Sequence, residues 1–257
     1  MDSTVTSTSV TVAPESEWTA RCELAALYRL IAHFRMTDLI DTHISLRLDD
    51  ASGHFLINRY GVLFEHMKAS DLVRIDGEGQ VVDSRFPNHR VNRAGFVIHS
   101  AIHAARPDLH CVIHTHTAAG IAVSAQADGL LPISQHALKF YNRLAYHQYE
   151  GIALRVEERE QLVQDLGPHS AMILRNHGLL AAGGGVAEAF QNIYMLERAC
   201  QAQVQALAGG RELIIPSPQT CEFTAQQFEG DDESGLIDLA WGAALTLIAH
   251  QRDDYCA

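Results

Sequence analysis

The chain has 257 residues, of which 47 % are hydrophobic and 19 % are charged, and these proportions predict a globular protein with a substantial core. Its formal net charge of -12 argues against nucleic acids and anionic membranes as partners. Its apolar runs fall short of the ~20 residues that span a bilayer, and the polar N-terminus lacks the pattern of a secretory signal.

The cysteines predict a cytoplasmic location. Disulfide frameworks and thiolate zinc sites need cysteines that pair, often at short spacings, but the five cysteines here are scattered and form no C-x-x-C pair. Free buried thiols in a reducing compartment are the simplest interpretation. The five residues are Cys22, Cys111, Cys200, Cys221 and Cys256.

Apolar patterns divide the first half of the chain into one helix and two hairpins. A polar tail, residues 1–15, is expected to be disordered, and one domain is predicted to cover residues 16–250. Three- and four-residue apolar spacing predicts the helix, and alternation predicts the hairpins. The elements are a helix at Ser16–Phe34, strands at His43–Leu48 and His54–Asn58 around a turn at 49–53, and strands at Leu72–Asp76 and Gln80–Asp83.

Short strands alternate with helices in the second half. Hairpins with interspersed helices predict an α/β fold, a single α/β/α domain whose mainly antiparallel sheet is covered by helices. Residues 251–257 are expected to form a loose C-terminal tail. The elements are helices at Arg93–Ala105, Thr117–Ala125, Glu157–Leu166 and Val186–Leu207, strands at Cys111–Ile113, Gln148–Leu154 and Ala171–Leu174, and a helical segment at Pro218–Ala249 interrupted at Gly230–Gly235.

The sequence CVIHTHT, residues 111–117, has the spacing of a metal site. Side chains of a strand alternate between its faces, so His114 and His116 point the same way if the strand continues through the motif. Two imidazoles can then reach one ion, as they do in zinc sites. Two surface histidines at a strand tip are the alternative interpretation of this motif alone.

A third histidine follows another predicted strand. Ala171–Leu174 is apolar and the sequence RNHG comes directly after it, which places His177 at a strand end as well. Three histidines at strand ends can converge and leave a position open for water or substrate, which is the arrangement of a catalytic metal site. Taken alone, His177 is equally consistent with a structural turn.

Other histidines are weaker ligand candidates. His99 and His103 share a face of a predicted helix, but the pair lacks the glutamate of an H-E-x-x-H motif. Because this helix leads into the strand of His114, we interpret His99 as a candidate acid–base group, with a purely structural helix histidine as the alternative. Spacing alone does not exclude His110 as a metal ligand, but no feature of the sequence favours it.

Several motifs together resemble the class II aldolase/adducin family, from about residue 22 to about residue 208. They are NRYGVLFEHMKASDLVRID, NRAGFVIHSAIHAARPDLHCVIHTHTAAGIAVSA and RNHGLLAAG. The resemblance implies a homotetramer with its active sites between subunits. It also implies one divalent metal ion, zinc before manganese or iron, on His114, His116 and His177. That metal would act as a Lewis acid and stabilise the enolate-like intermediate of carbon–carbon cleavage.

The chain also departs from the sugar-phosphate aldolases that it resembles. Those enzymes have a catalytic carboxylate at the position that aligns with Gly95, and glycine can neither bind a metal nor move a proton. Their phosphate-binding segments, rich in Gly, Thr and Ser, align with different residues here. Arg59 and Arg93 fall in these segments and favour a carboxylate, which a guanidinium can grip with two hydrogen bonds.

The chain thus resembles the decarboxylase and adducin-like branch of the family more than the sugar-phosphate aldolases. This resemblance implies a metal-dependent lyase, of the aldolase or decarboxylase type, that acts on a small carboxylate or a hydroxy or oxo acid. A non-haem iron oxygenase on the same fold and a non-catalytic, adducin-like assembly or actin-binding module are the alternatives. Residues 141–147 could reach the site of a neighbouring subunit, although aromatic residues there are also consistent with packing. The candidate substrate contacts are His43, Asn58, Arg59, Tyr60 and Arg93.

Overall fold

The computed structural model describes residues 15–48, 52–83, 90–151, 158–230 and 234–257. The predicted disordered tail lies outside these residues except for Glu15, and so does most of the first predicted turn, at 49–51. Among the described residues, no helix is both long enough and apolar enough to cross a membrane. The domain limits proposed from the sequence, 16 and 250, stay a prediction.

Nine α-helices lie in the described residues. Several begin at a side-chain cap: Thr117, Ser134 and Ser217 each accept a hydrogen bond from a backbone amide of the first turn. In chain order, the helices are α1 (Glu15–His33), α2 (Arg93–Ala105), α3 (Ala118–Ser124), α4 (Gln135–Leu138), α5 (Glu158–Leu166), α6 (Val186–Ala208), α7 (Pro218–Glu229), α8 (Leu236–Thr246) and α9 (Arg252–Tyr255).

A seven-stranded sheet forms the centre of the described structure, in the order β3-β2-β1-β4-β7-β6-β5. Every neighbouring pair is antiparallel except β5 and β6, which are parallel. The predicted α/β fold with a mainly antiparallel sheet is thus confirmed. The strands are β1 (His43–Arg47), β2 (Phe55–Asn58), β3 (Leu72–Ile75), β4 (Cys111–Thr115), β5 (Ala145–His147), β6 (Ala171–Leu174) and β7 (Gly178–Gly183).

Alternation along the strands separates two apolar layers. On β4, Cys111 and Ile113 join the cluster formed with α1 and α6, whereas Val112 joins the cluster formed with α2 and α5. His114 has the parity of Val112 and therefore points toward α2. The register pairs His114 with His43 of β1, so both imidazoles lie on this side of the sheet.

Four sequence predictions about elements need correction. The strand predicted at Gln148–Leu154 instead lies at β5, three residues earlier, and residues 152–154 are outside the described residues. The second predicted hairpin is reduced to β3 and a single bridge between Ile75 and Val81. Strand β7 was not predicted at all.

The predicted loose tail is also wrong for the described residues 251–257. Residues 252–255 form α9, and Tyr255 is 3 % exposed and belongs to the main apolar cluster. Asp254 pairs with Arg29 of α1 at 2.6 Å and with Lys68 at 2.8 Å. Burial of the tyrosine and these ion pairs hold the segment on α1, which its polar composition did not indicate.

Candidate metal centre

One strand and one tight turn hold the three predicted ligands. His114 lies on β4 and His116 directly follows this strand, so both share one face. His177 lies in the turn between β6 and β7, next to Asn176, whose φ is +54°. A side chain at Gly178 would collide with the carbonyl oxygen of Thr115, so this glycine lets the turn approach β4 closely.

The ring nitrogens of the three histidines converge. The Nε2 atom of His114 lies 2.8 Å from that of His116 and 3.3 Å from that of His177. The Nε2 atoms of His116 and His177 are 3.0 Å apart. A tetrahedral ion with metal–nitrogen distances of 2.0–2.1 Å needs ligand nitrogens about 3.3 Å apart. The three imidazoles therefore fit one small divalent cation after adjustments of a few tenths of an ångström.

The outer nitrogens of two rings are hydrogen-bonded to acceptors. Nδ1 of His114 donates to the carbonyl oxygen of Leu179 at 2.9 Å, and Nδ1 of His116 donates to Asp38 at 3.1 Å. In a neutral imidazole, a proton on Nδ1 leaves a lone pair on Nε2. The two facing lone pairs at 2.8 Å repel each other unless a cation lies between them, and such outer partners are usual for metal-binding histidines.

Burial keeps two of the three rings, those of His114 and His177, uncharged. It lowers the pKa of His114 well below the usual value, and the neighbouring rings of His43, His177 and His116 lower it further. Burial, together with the rings of His116 and His147, lowers the pKa of His177 to about 4. At neutral pH the rings of His114 and His177 are therefore neutral imidazoles, with one nitrogen lone pair free, which is the form that binds a metal.

His43 adjoins this histidine triad, whereas His99 does not. The ring centroid of His43 is 5.1 Å from that of His114. Nδ1 of His43 lies 2.7 Å from Nε2 of His99, which is completely buried behind it. The acid–base group predicted at His99 therefore contacts His43, and His43 is the ring beside the triad.

Gly95 faces the ring of His43. A Cβ atom built at Gly95 would lie 2.5–2.8 Å from three atoms of that ring, closer than real contacts allow. The imidazole thus fills the space that any side chain at position 95 would need. Gly95 and the ring of His43 are therefore sterically coupled, because a side chain at position 95 and this ring position exclude each other.

Three of the other four predicted substrate contacts have partners of their own, and the fourth, Arg93, is exposed. Asn58 is 3 % exposed and accepts a hydrogen bond from Tyr28 at 3.0 Å. Arg59 pairs with Asp71 at 2.8 Å, although 39 % of its side chain is exposed. Arg93 is exposed at the first residue of α2. Tyr60, also exposed, donates to Asp41 at 3.3 Å.

A small cavity of about 30 Å³ adjoins the third ligand and is lined by His147, Tyr149 and His177, among others. Nδ1 of His147 lies 2.7 Å from Asp165, and the ring centroid of Tyr149 is 6.4 Å from that of His177. His147 is thus near the triad of its own chain. Tyr146, also considered for a neighbouring site, instead accepts a hydrogen bond from the amide of Leu130.

Sequence reasoning missed Asp38 and Ser45. Asp38 lies in a loop 78 positions before its partner His116, and no spacing rule connects them. Ser45 hydrogen-bonds His99 and His103, and it could have been found because it follows His43 by two residues on the same strand face.

The comparison with known protein families agrees with this geometry. Residues 22–204 match the profile of the Class II Aldolase and Adducin N-terminal domain. The chain belongs to the class II aldolase/adducin family. The resemblance expected from the sequence motifs is thereby confirmed, and the mixed α/β architecture is that of the class II aldolase fold.

Family members of two kinds are similar to the chain. The crystal structure of an aldolase II superfamily protein from Pseudomonas syringae has 48 % identity and a TM-score of 0.91, covering 95 % of this chain and 98 % of that one. The L-fuculose 1-phosphate aldolase from Glaciozyma antarctica has 29 % identity and a TM-score of 0.81, covering 95 % of each chain. Alpha-adducin from Rattus norvegicus is 48 % identical over 198 residues, covering 76 % of this chain but only 27 % of the adducin.

Proposed function

We propose that the protein is a metal-dependent lyase that cleaves a carbon–carbon bond, by aldol cleavage or decarboxylation, in a small carboxylate or a hydroxy or oxo acid. One observation carries the proposal: three Nε2 atoms lie within 3.3 Å of one another, and two of the rings have their Nδ1 atoms bonded to acceptors. Such a set suits a metal with an open coordination position. Membership of the class II aldolase family supports the same chemistry.

The roles in the site follow from the surroundings of each residue. His114, His116 and His177 would hold the metal, zinc before manganese or iron, which supplies Lewis-acid polarisation of substrate oxygens. The ring of His43 offers a hydrogen bond beside the triad. Arg93 begins α2 only two residues before Gly95, and we assign it the role of binding the substrate carboxylate.

Gly95 separates this proposal from sugar-phosphate aldol chemistry. No carboxylate can stand at position 95 while the ring of His43 occupies the adjoining space. L-Fuculose 1-phosphate, named for the Glaciozyma antarctica relative, is therefore the comparison substrate rather than the expected one. We expect faster turnover of hydroxy and oxo acids than of this sugar phosphate.

The first experiment measures metal content. The purified protein and the variants His114→Ala and His110→Ala are compared by elemental analysis after saturation with zinc, manganese or iron and removal of excess metal. We expect one ion per chain in the protein and in the His110 variant, and a strong loss in the His114 variant. Equal metal in both variants would refute the triad as the binding site.

The second experiment identifies the reaction. The metal-loaded protein is incubated with a panel of small hydroxy and oxo acids, and release of aldehyde or carbon dioxide is followed. Turnover that requires His114 supports the lyase. Oxygen consumption by the iron-loaded protein without such release would instead support the oxygenase alternative.

A structural role is the second candidate function, favoured by the 48 % identity to alpha-adducin over 198 residues. A module of that kind would bind partners without turnover, and actin co-sedimentation tests it with the apo and metal-loaded protein. We also propose a cytoplasmic homotetramer. Light scattering should then give about 113 kDa, four times the chain mass of 28.3 kDa.

A further inference from the structure

Four buried side chains form a continuous hydrogen-bonded row beside the triad. Nδ1 of His43 lies 2.7 Å from Nε2 of His99, and Nδ1 of His99 lies 2.5 Å from Oγ of Ser45. The same Oγ lies 2.7 Å from Nε2 of His103. None of the four residues is more than 4 % exposed. We call these residues the histidine row.

Two regular elements build the row. His43 and Ser45 are two residues apart on β1 and share a face, while His99 and His103 are four residues apart on α2 and share a face. Where these faces meet, strand and helix residues interleave. The spacing therefore aligns the ring and hydroxyl groups in one line between the sheet and the helix.

The two ends of the row have different surroundings: His43 lies beside the triad, and His103 lies beside a second cavity. At one end, Nε2 of His43 lies 2.8 Å from the position of the missing Cβ of Gly95, next to the triad. At the other end, His103 lines a second cavity of about 490 Å³, which the exposed residues Gly53 and Gly77 also line. Within the described part of the chain, Nδ1 of His103 is buried beneath this lining and has no partner in hydrogen-bonding geometry. This cavity reaches the surface and can hold water.

The rings of the row are neutral. Burial lowers the pKa of His99 well below the usual value, and burial together with Arg47 lowers the pKa of His103 to about 3. In the 2.7 Å contact between His43 and His99, one ring nitrogen donates and the other accepts. Among the described residues, the Ser45 hydroxyl has hydrogen-bond partners only in His99 and His103, so its one proton goes to one of these rings and it accepts from the other. Under this condition, only two proton arrangements satisfy every bond. All three rings are protonated on Nε2, or all three are protonated on Nδ1.

We propose that the histidine row switches between these two arrangements, so that His43 exchanges a proton with the substrate while His99, Ser45 and His103 move the compensating proton between His43 and the second cavity. When Nε2 of His43 gives its proton to the substrate, Nε2 of His99 passes one to Nδ1 of His43. Ser45 passes one to Nδ1 of His99, and Nε2 of His103 passes one to Ser45.

A proton from the cavity finally reaches the buried Nδ1 of His103, and bulk buffer replenishes the cavity water. When Nε2 of His43 accepts a proton from the substrate, the same steps run in reverse and return the row to the first arrangement. Each step breaks one N–H or O–H bond and forms another, and every ring is neutral in both arrangements. His43 would thus supply the proton transfer that a glycine at position 95 cannot supply. His43 is the residue that touches the substrate, and the other three are positioning residues. The inference rests on the proposed function only for the presence of a substrate at the triad.

The test uses nitrogen-15 NMR of histidine-labelled full-length protein at pH 8, because the two neutral tautomers of imidazole have different shifts. In the wild type, His43, His99 and His103 should show the same fraction of the Nδ1-protonated form. Ser45→Ala should make the fraction for His103 differ from the other two, and Ser45→Thr, which keeps the hydroxyl, should restore agreement.

Ser100→Ala is the matched control, since Ser100 is a buried serine of α2 whose hydroxyl donates to the Phe96 carbonyl oxygen outside the row. It should leave the tautomers unchanged. Opposite tautomers on neighbouring rings of the wild type, or unchanged agreement in Ser45→Ala, would overturn the proposal. Because no substrate is needed, this outcome is independent of whether the lyase assay succeeds. With a substrate in hand, Ser45→Ala should lower kcat about tenfold or more and leave KM unchanged.

Discussion

Replacing Gly95 by alanine tests the most crowded point of the site. The added Cβ would lie 2.5–2.8 Å from the ring of His43, which is nearly completely buried and hydrogen-bonded to His99 at 2.7 Å. Overpacking of this kind costs about 1–3 kcal/mol, and loss of the hydrogen bond adds about 1 kcal/mol. Alanine regains up to about 1 kcal/mol in a helix. We expect a net loss of about 1–3 kcal/mol in the free energy of unfolding.

Urea denaturation at one protein concentration measures this difference. Gly242→Ala is the matched control, because Gly242 is a helical glycine of α8 whose added Cβ meets nothing within 4 Å. That variant should gain about 0.5–1 kcal/mol. Adding His43→Ala to the Gly95 variant should recover part of its loss, because the clashing ring is gone. If Gly95→Ala is as stable as the Gly242 variant, the crowding argument is wrong.

Three further predictions concern buried charges, pH and the metal. Arg21→Met should cost about 3–5 kcal/mol in urea denaturation, because Arg21 is completely buried and two buried carboxylates lose its charge. Burial holds the pKa of His103 at about 3, so its contribution to stability is present above the usual 6.5 and is lost as the pH falls from 6.5 toward 3. The loss is about 1.4 kcal/mol per pH unit in the apo protein, and His103→Gln should reduce this slope in a pH series of denaturation curves. Asp38→Asn should weaken metal binding about 10- to 100-fold in a competition titration, because Asp38 orients His116.

Local patterns were sufficient to predict that the three candidate ligands, His114, His116 and His177, converge. The H-x-H spacing needs only the two-residue period of a strand, and His177 needs only the end of an apolar segment. The bounds of α2 follow equally from its apolar period and agree with the structure at Arg93 and Ala105. These features depend on neighbours in sequence, which is why the chain alone reveals them.

Other features depend on contacts across the fold. Strand β7 lies between β4 and β6 and is buried on both faces, so its sequence GLLAAG has no alternation and resembles a glycine-rich turn. Asp38 reaches His116 from a loop, and Tyr255 is buried by packing against α1. The collision at Gly95 could not be predicted either, since it depends on a ring 52 positions earlier in the chain.

The ladder between β4 and β7 has a consequence for how a metal enters and leaves. Ile113, His114 and Thr115 pair with residues 181, 180 and 179, and the turn of His177 directly precedes these partners. The ligands are therefore held in place by backbone bonds before any ion arrives. Binding then loses little conformational entropy, unlike in domains that fold only around zinc. Under the proposed function, an ion could therefore dissociate and another replace it while the polypeptide keeps its shape, and metal availability would act beside ligand type in selecting the element.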